Sequence, residues 1–164
     1  MSGAAIITIS TSKAAGVGDD ESGPRLAALA ERVGIEILAR ELIPDERELI
    51  EARLRHWSQA DDCSLVLTTG GTGLASSDVT PEATRAVIDR EAPGIAEAMR
   101  AASRAHTRHW MLSRGVAGAA GSTLIVNFPG SPASIDQAGE AIVESLPHAL
   151  ELLAGRGSAH QRLR

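Results

Sequence analysis

Short apolar runs alternate along this chain with stretches of helical spacing. Residues 4–10 (Ala-Ala-Ile-Ile-Thr-Ile-Ser) are apolar and β-branched, the mark of a buried strand. Leu26, Leu29, Ala30 and Val33 then follow i, i+3, i+4, i+7 spacing, with Pro24 in the first turn and Gly34 as a closing cap. Residues 35–43 read as a second strand, and residues 46–59 place Ile50, Leu54 and Trp57 on one helical face. Leu65 to Thr69 is the clearest buried strand, stopped by a glycine cluster. Thr80-Pro81-Glu82 is a helix start, and the pattern carries that helix to about Glu91. A further alanine-rich helix is predicted over 93–105, a short strand and turn within 106–121, and a strong strand over 123–128. Ile135, Ala138, Ile142, Leu146, Leu150 and Leu153 mark a terminal helix that Pro147 divides.

Strands alternating with helices predict an α/β fold: three layers, α/β/α, with a mostly parallel sheet covered on both faces. The chain has 164 residues, a length that favours one domain, expected over 1–154, with a polar tail over 155–164. Sixteen basic and 21 acidic residues leave a net charge of −5, a poor balance for a general nucleic-acid binder. Aromatic residues make up 2% of the chain, too few for a stacked base-binding platform. The single cysteine, Cys63, excludes an intramolecular disulfide framework and a multi-cysteine zinc site. No apolar run reaches the ~18 residues of a membrane span, and the N-terminus lacks a signal-peptide pattern, so the expected setting is cytoplasmic.

In such sheets ligands bind beyond the carboxyl ends of the strands, and the loops there are chemically unusual. The strand at 65–69 runs into Thr68-Thr69-Gly70-Gly71-Thr72-Gly73, with Ser76-Ser77-Asp78 before the next helix. Three glycines in four residues let the backbone approach a ligand, and their N–H groups favour an anion such as phosphate. No Gly-Lys-Ser/Thr follows, so this is not a Walker loop, and the third glycine of a dinucleotide fingerprint is missing. The strand at 123–128 runs into Pro129-Gly130-Ser131-Pro132, stiffened by its prolines. The first strand runs into a long loop carrying Ser10, Thr11, Ser12 and Lys13, the only lysine in the chain. Asp45 follows the second strand, where it is either a helix cap or a carboxylate facing Asp78 across one crevice. His106 and His109 stand three apart, a spacing more usual for surface histidines than for a metal pair.

These residues carry a family resemblance. Leu67-Thr-Thr-Gly-Gly-Thr-Gly73, Asp78-Val-Thr-Pro-Glu-Ala-Thr84, Ile43-Pro-Asp-Glu46, Ser113-Arg114 and Pro129-Gly-Ser-Pro132 resemble the MoaB/Mog proteins of molybdenum cofactor biosynthesis, which include the gephyrin G domain. The similarity runs from about residue 5 to residue 154. It implies a molybdopterin-binding fold, a homotrimer or dimer of trimers, and transfer of AMP from ATP to molybdopterin with release of pyrophosphate. By the same resemblance Asp45 and Asp78 occupy the family's two essential acidic, catalytic positions; each is a candidate either to bind Mg²⁺ or to accept from the amino edge of the pterin. Ser10, Thr69, Gly70, Gly71, Thr72, Gly73, Ser113, Arg114, Pro129, Gly130 and Ser131 line the substrate pocket. A later molybdenum-insertion protein is an implied partner; nucleic acid and membrane are not.

One position departs from the pattern. The family usually carries Ser-Asp or Ser-Asn after the first strand, where this chain has Ser10-Thr11. The expected chemistry crowds negative charge. Two unit charges 4 Å apart at an effective dielectric near 20 repel by roughly 4 kcal/mol, so the site needs cations. Lys13, Arg114 and a divalent ion are the candidates, Mg²⁺ foremost. The alternative function is a carrier or scaffold that holds molybdopterin without turning over ATP; incorporation of AMP separates the two.

Overall fold

The computed structural model describes residues 3–155. Its strands are β1 (Gly3–Ile9), β2 (Glu36–Ile43), β3 (Cys63–Thr69), β4 (Arg90–Glu91), β5 (Ala117–Ala120) and β6 (Thr123–Phe128). Its helices are α1 (Thr11–Ala14), α2 (Ser22–Glu31), α3 (Arg47–Ser58), α4 (Thr80–Arg85), α5 (Pro93–Ser103), α6 (Pro132–Ile142) and α7 (Leu146–Leu153). The strands form one sheet in the order β2-β1-β3-β6-β5-β4. The first four of these run parallel, and β5 and β4 are antiparallel to their neighbours.

Alternation along β1 explains the layers, because successive side chains of a strand point to opposite faces. Ala4 and Ile6 join Leu65, Leu67, Leu124, Val126 and Phe128 beneath α2, α5, α6 and α7. Ala5, Ile7 and Ile9 join Val66 and Ile125 beneath Ile50 and Leu54 of α3 and Ala83 of α4. The three-layer α/β/α architecture is as the spacing predicts.

Two boundaries differ from the sequence reading. The helix expected to reach Glu91 stops at Arg85. Asp89 N–H donates to the Ala119 carbonyl and Ala92 N–H to the Ala117 carbonyl, each at 2.8 Å, and between them β4 pairs with β5. The sheet edge has captured residues that helical spacing claimed, and the β-branched pair Val87-Ile88 makes the helix easy to give up. The short helix α1, a single turn after β1, had no periodic signal to announce it. Pro147 does divide the terminal helix: α6 ends at Ile142, a 3₁₀ turn covers Val143–Ser145, and α7 restarts with the proline in its first turn. Gly34, at φ +76°, closes the second helical segment as expected. Of the predicted tail, residues 156–164 lie outside the described residues.

Candidate active site

The strand order reverses at β1. The chain leaves β1 for β2 on one side, while β3 lies on the other. The helix after β1 (α2) covers one face of the sheet, and the helix after β3 (α4) covers the opposite face. The loops after β1 and β3 therefore part company at their common edge, and a crevice opens there. Four of the sequence-predicted segments meet at it.

Gly70 is wedged into the floor of that crevice. Its N–H donates to the Phe128 carbonyl at 3.2 Å, its φ is +98°, and a Cβ placed on it would lie 2.2 Å from the Ile9 carbonyl oxygen. Only glycine fits between the ends of β1 and β6. Gly71, at φ +64°, is equally confined: a Cβ there would meet Thr80 Oγ1 at 2.4 Å and Asp45 Oδ1 at 3.1 Å. Thr80 Oγ1 donates to the Gly70 carbonyl at 3.0 Å, and Thr80 N–H donates to the Gly71 carbonyl at 3.1 Å, so the start of α4 grips the loop. The proline turn closes the other side. Thr69 Oγ1 donates to the Pro129 carbonyl at 2.7 Å, and Gly130 lies against Gly70. Ser131, exposed at the start of α6, makes no side-chain cap bond.

Both carboxylates abut the glycine loop. Asp45 does not cap α3; its Oδ2 accepts from Thr11 N–H and Thr11 Oγ1, each at 2.8 Å, and its Oδ1 faces Gly71. Asp78 Oδ2 accepts from Ala75 N–H at 2.9 Å and lies 2.8 Å from where a Cβ on Gly73 would sit. Ser10 caps α1 and also contacts Ser12, with Oγ atoms 3.4 Å apart. Lys13 sits in the same turn and makes no ion pair among the described residues.

Arg114, one of the candidate cations beside Lys13, turns its donors to the protein. Nε donates to the Gly73 carbonyl and Nη2 to the Asp78 carbonyl, both at 2.7 Å, and Nη1 donates to Glu82. Its own N–H donates to the Thr72 carbonyl at 2.8 Å. The arginine is a clamp across the loop that carries Thr72, Gly73 and Asp78. The hydrogen bond from Arg114 holds the Glu82 carboxyl below its ordinary range, and the guanidinium is driven further up in return. Ser113 lines a recess of about 220 Å³ with Arg100, Trp110, Asn127 and Pro129.

Sequence reasoning missed three supports. Asp20 accepts from Thr8 Oγ1 at 2.8 Å and from Gly23 N–H at 2.9 Å, tying the long first loop back to β1. Ser22 Oγ donates to the Gly130 carbonyl at 2.9 Å. Buried Asn127 donates to Thr68 Oγ1 at 3.0 Å and Thr84 Oγ1 at 2.9 Å, and accepts from Val116 N–H at 3.1 Å. That network fixes β3, β6 and α4 to one another beneath the crevice. A polar residue inside the apolar run Thr123–Phe128 was the one available signal for it.

A doubly wound sheet whose strand ends gather a glycine loop, two aspartates and a proline turn defines the class: an α/β protein with a loop-built crevice at its switch point. Residues 5–148 match the family described as a probable molybdopterin binding domain, and the chain belongs to that family. It is 39% identical to a molybdopterin adenylyltransferase of Haemophilus influenzae over 164 aligned positions, covering 92% of this chain and 83% of that protein. The molybdenum cofactor synthesis protein cinnamon of Drosophila melanogaster is 40% identical over 135 positions; 82% of this chain matches 22% of that longer protein. Among solved structures, the molybdopterin biosynthesis enzyme MoaB of Thermus thermophilus superposes with a TM-score of 0.87 at 44% identity, covering 93% of this chain and 96% of that one.

Proposed function

We propose that this chain is an ATP- and Mg²⁺-dependent molybdopterin adenylyltransferase of molybdenum cofactor biosynthesis. The observation that carries the reading is the placement of Asp45 and Asp78 against Gly71 and Gly73, on a loop with the glycines to admit phosphate. The similarity to bacterial molybdopterin adenylyltransferases over 92% of the chain supports it.

In this reaction a terminal phosphate oxygen of molybdopterin attacks the α-phosphorus of ATP. A new P–O bond forms, the bond from the α-phosphorus to the α,β-bridging oxygen breaks, and pyrophosphate leaves with that electron pair. The chain's share is in-line positioning and a preorganised polar surround. The backbone of residues 70–73, with Ser10 and Ser131, is assigned to holding the substrates. Asp45 is assigned to the nucleotide–metal side and Asp78 to the metal or pterin side.

The donor set fits Mg²⁺. Among the described residues no cluster of three or more His, Cys, Asp or Glu stands ready to hold an ion alone. Mg²⁺ is commonly held by one or two carboxylates together with substrate phosphates, and Asp45 and Asp78 supply two. When bound, the ion neutralises charge on the phosphates and leaving group.

We also infer a cytoplasmic homotrimer or dimer of trimers, passing its product to a molybdenum-insertion protein; static light scattering reports the assembly directly. The deciding assay supplies ATP, Mg²⁺ and molybdopterin and follows AMP incorporation and pyrophosphate release. Molybdopterin binding without ATP turnover would convert the reading to a carrier.

A further inference from the structure

We propose that Thr11 is the positioning residue that aims the Asp45 carboxylate into the crevice. β1 and β2 run in parallel with Ile9 opposite Ile43, and Ser10 N–H donates to the Ile43 carbonyl at 2.9 Å. The residues two beyond that pair, Thr11 and Asp45, are thereby set side by side. They bond reciprocally. Asp45 N–H donates to Thr11 Oγ1 at 3.0 Å, while Thr11 N–H and Oγ1 both donate to Asp45 Oδ2 at 2.8 Å.

The consequence lies in how the carboxylate divides. The torsion that turns an aspartate carboxyl is soft, so an unrestrained group would sample many orientations. Here one oxygen is occupied by two donors, and the other, Oδ1, is turned toward Gly71. The hydroxyl is a neutral donor. It orients the group without pairing it with a cation, and Oδ1 accepts no hydrogen bond among the described residues. Thr11 is exposed and lies in no hydrophobic cluster, so core packing does not account for it.

This inference rests on Asp45 acting in the proposed reaction, and a graded series tests it. Thr11→Ser keeps both donors, Thr11→Val keeps only the N–H, and Thr11→Pro removes both at a first-turn position where proline is tolerated. Loss of alignment should lower kcat about 10-fold in Thr11→Val and about 100-fold in Thr11→Pro, with KM for ATP changing less than about 3-fold. Thr11→Ser should turn over within about 2-fold of the parent. Unchanged thermal midpoints would exclude unfolding as the cause. Because Thr11 acts only through Asp45, Thr11→Val should cost nothing further in an Asp45→Ala background, where the acceptor is gone. Full turnover in Thr11→Pro, or an equal loss in both backgrounds, would overturn the proposal. A parent protein that transfers no AMP would sink the functional reading instead. The Thr11 contact is then read by amide hydrogen exchange: protection of the Thr11 N–H that disappears in Asp45→Ala, which removes the acceptor, supports it, and protection unchanged by that substitution refutes it.

Discussion

Asp78 spends one carboxylate oxygen on its own loop, where Ala75 N–H donates to Oδ2. Asparagine at this position would keep an acceptor for that bond and remove the charge. Asp78→Asn is therefore expected to abolish AMP transfer while leaving the circular dichroism spectrum and thermal midpoint close to those of the parent. Full turnover would remove Asp78 from the chemistry. Gly70 gives the opposite kind of prediction. Alanine there would be forced into a positive φ, worth roughly 1–3 kcal/mol of strain. Its Cβ would also lie 2.2 Å from the Ile9 carbonyl oxygen. Gly70→Ala should lower stability by at least that strain, visible as a reduced urea midpoint, and distort the loop that also carries Gly71 and Gly73. These residues were legible because their types are diagnostic by themselves: three glycines in four positions, and acids at strand ends. Thr11, Asp20 and Asn127 were not, because their roles exist only through partners. Asn127 reaches Thr68 across the β3–β6 register and Thr84 from a helix, and hydrophobic patterning fixes neither relation.

Between α4 and the segment before β5, the Arg114 clamp decides the shape of the glycine loop. Its guanidinium meets the Gly73 carbonyl, the Asp78 carbonyl and the Glu82 carboxylate with three different nitrogens. A lysine ammonium cannot reproduce that fork. Arg114→Lys should therefore lose about 10- to 100-fold in kcat/KM through a misplaced Asp78 rather than through a lost ligand contact. The Glu82 half of the clamp carries the pH dependence. The Arg114 hydrogen bond depresses the Glu82 carboxyl, so its contribution is complete above the ordinary carboxylate value and is lost as pH falls through the lower folded value. Both side chains are about a third exposed, at 31% and 38%, which limits the stabilisation to about 0–1 kcal/mol. Glu82→Gln should be slightly less stable at neutral pH, and its stability should decline less between about pH 5 and 3, measured by urea midpoints across that range. The pairing of Glu82 with Arg114 spans 32 residues of sequence, out of reach of any local pattern. The same blindness moved the end of α4: periodicity sees Val87 and Ile88 as a helical face, and only the position of β5 reveals that the next residues belong to a sheet edge.

At the scale of the whole molecule, charge opposes the proposed ligands. The chain carries a net charge of −5, two of its carboxylates stand at the crevice, and the proposed reaction brings in a triphosphate and a phosphomonoester. Of the two candidate cations, Arg114 donates to Glu82 and loop carbonyls, and Lys13 makes no ion pair among the described residues. A single flexible ammonium cannot offset charges that repel by roughly 4 kcal/mol per close pair. Turnover should therefore vanish on chelation with EDTA and return with added Mg²⁺. Lys13→Ala should raise the Mg²⁺ concentration needed for half-maximal rate, since the ion then carries the lysine's share of neutralisation. Ca²⁺ is the informative control: it accepts looser, larger coordination than Mg²⁺, so a site built from two carboxylates and substrate phosphates should bind it with poor in-line alignment and low kcat. Turnover undiminished by EDTA would mean that backbone N–H groups and Lys13 neutralise the phosphates without an ion, and the two-carboxylate metal assignment would fall with it.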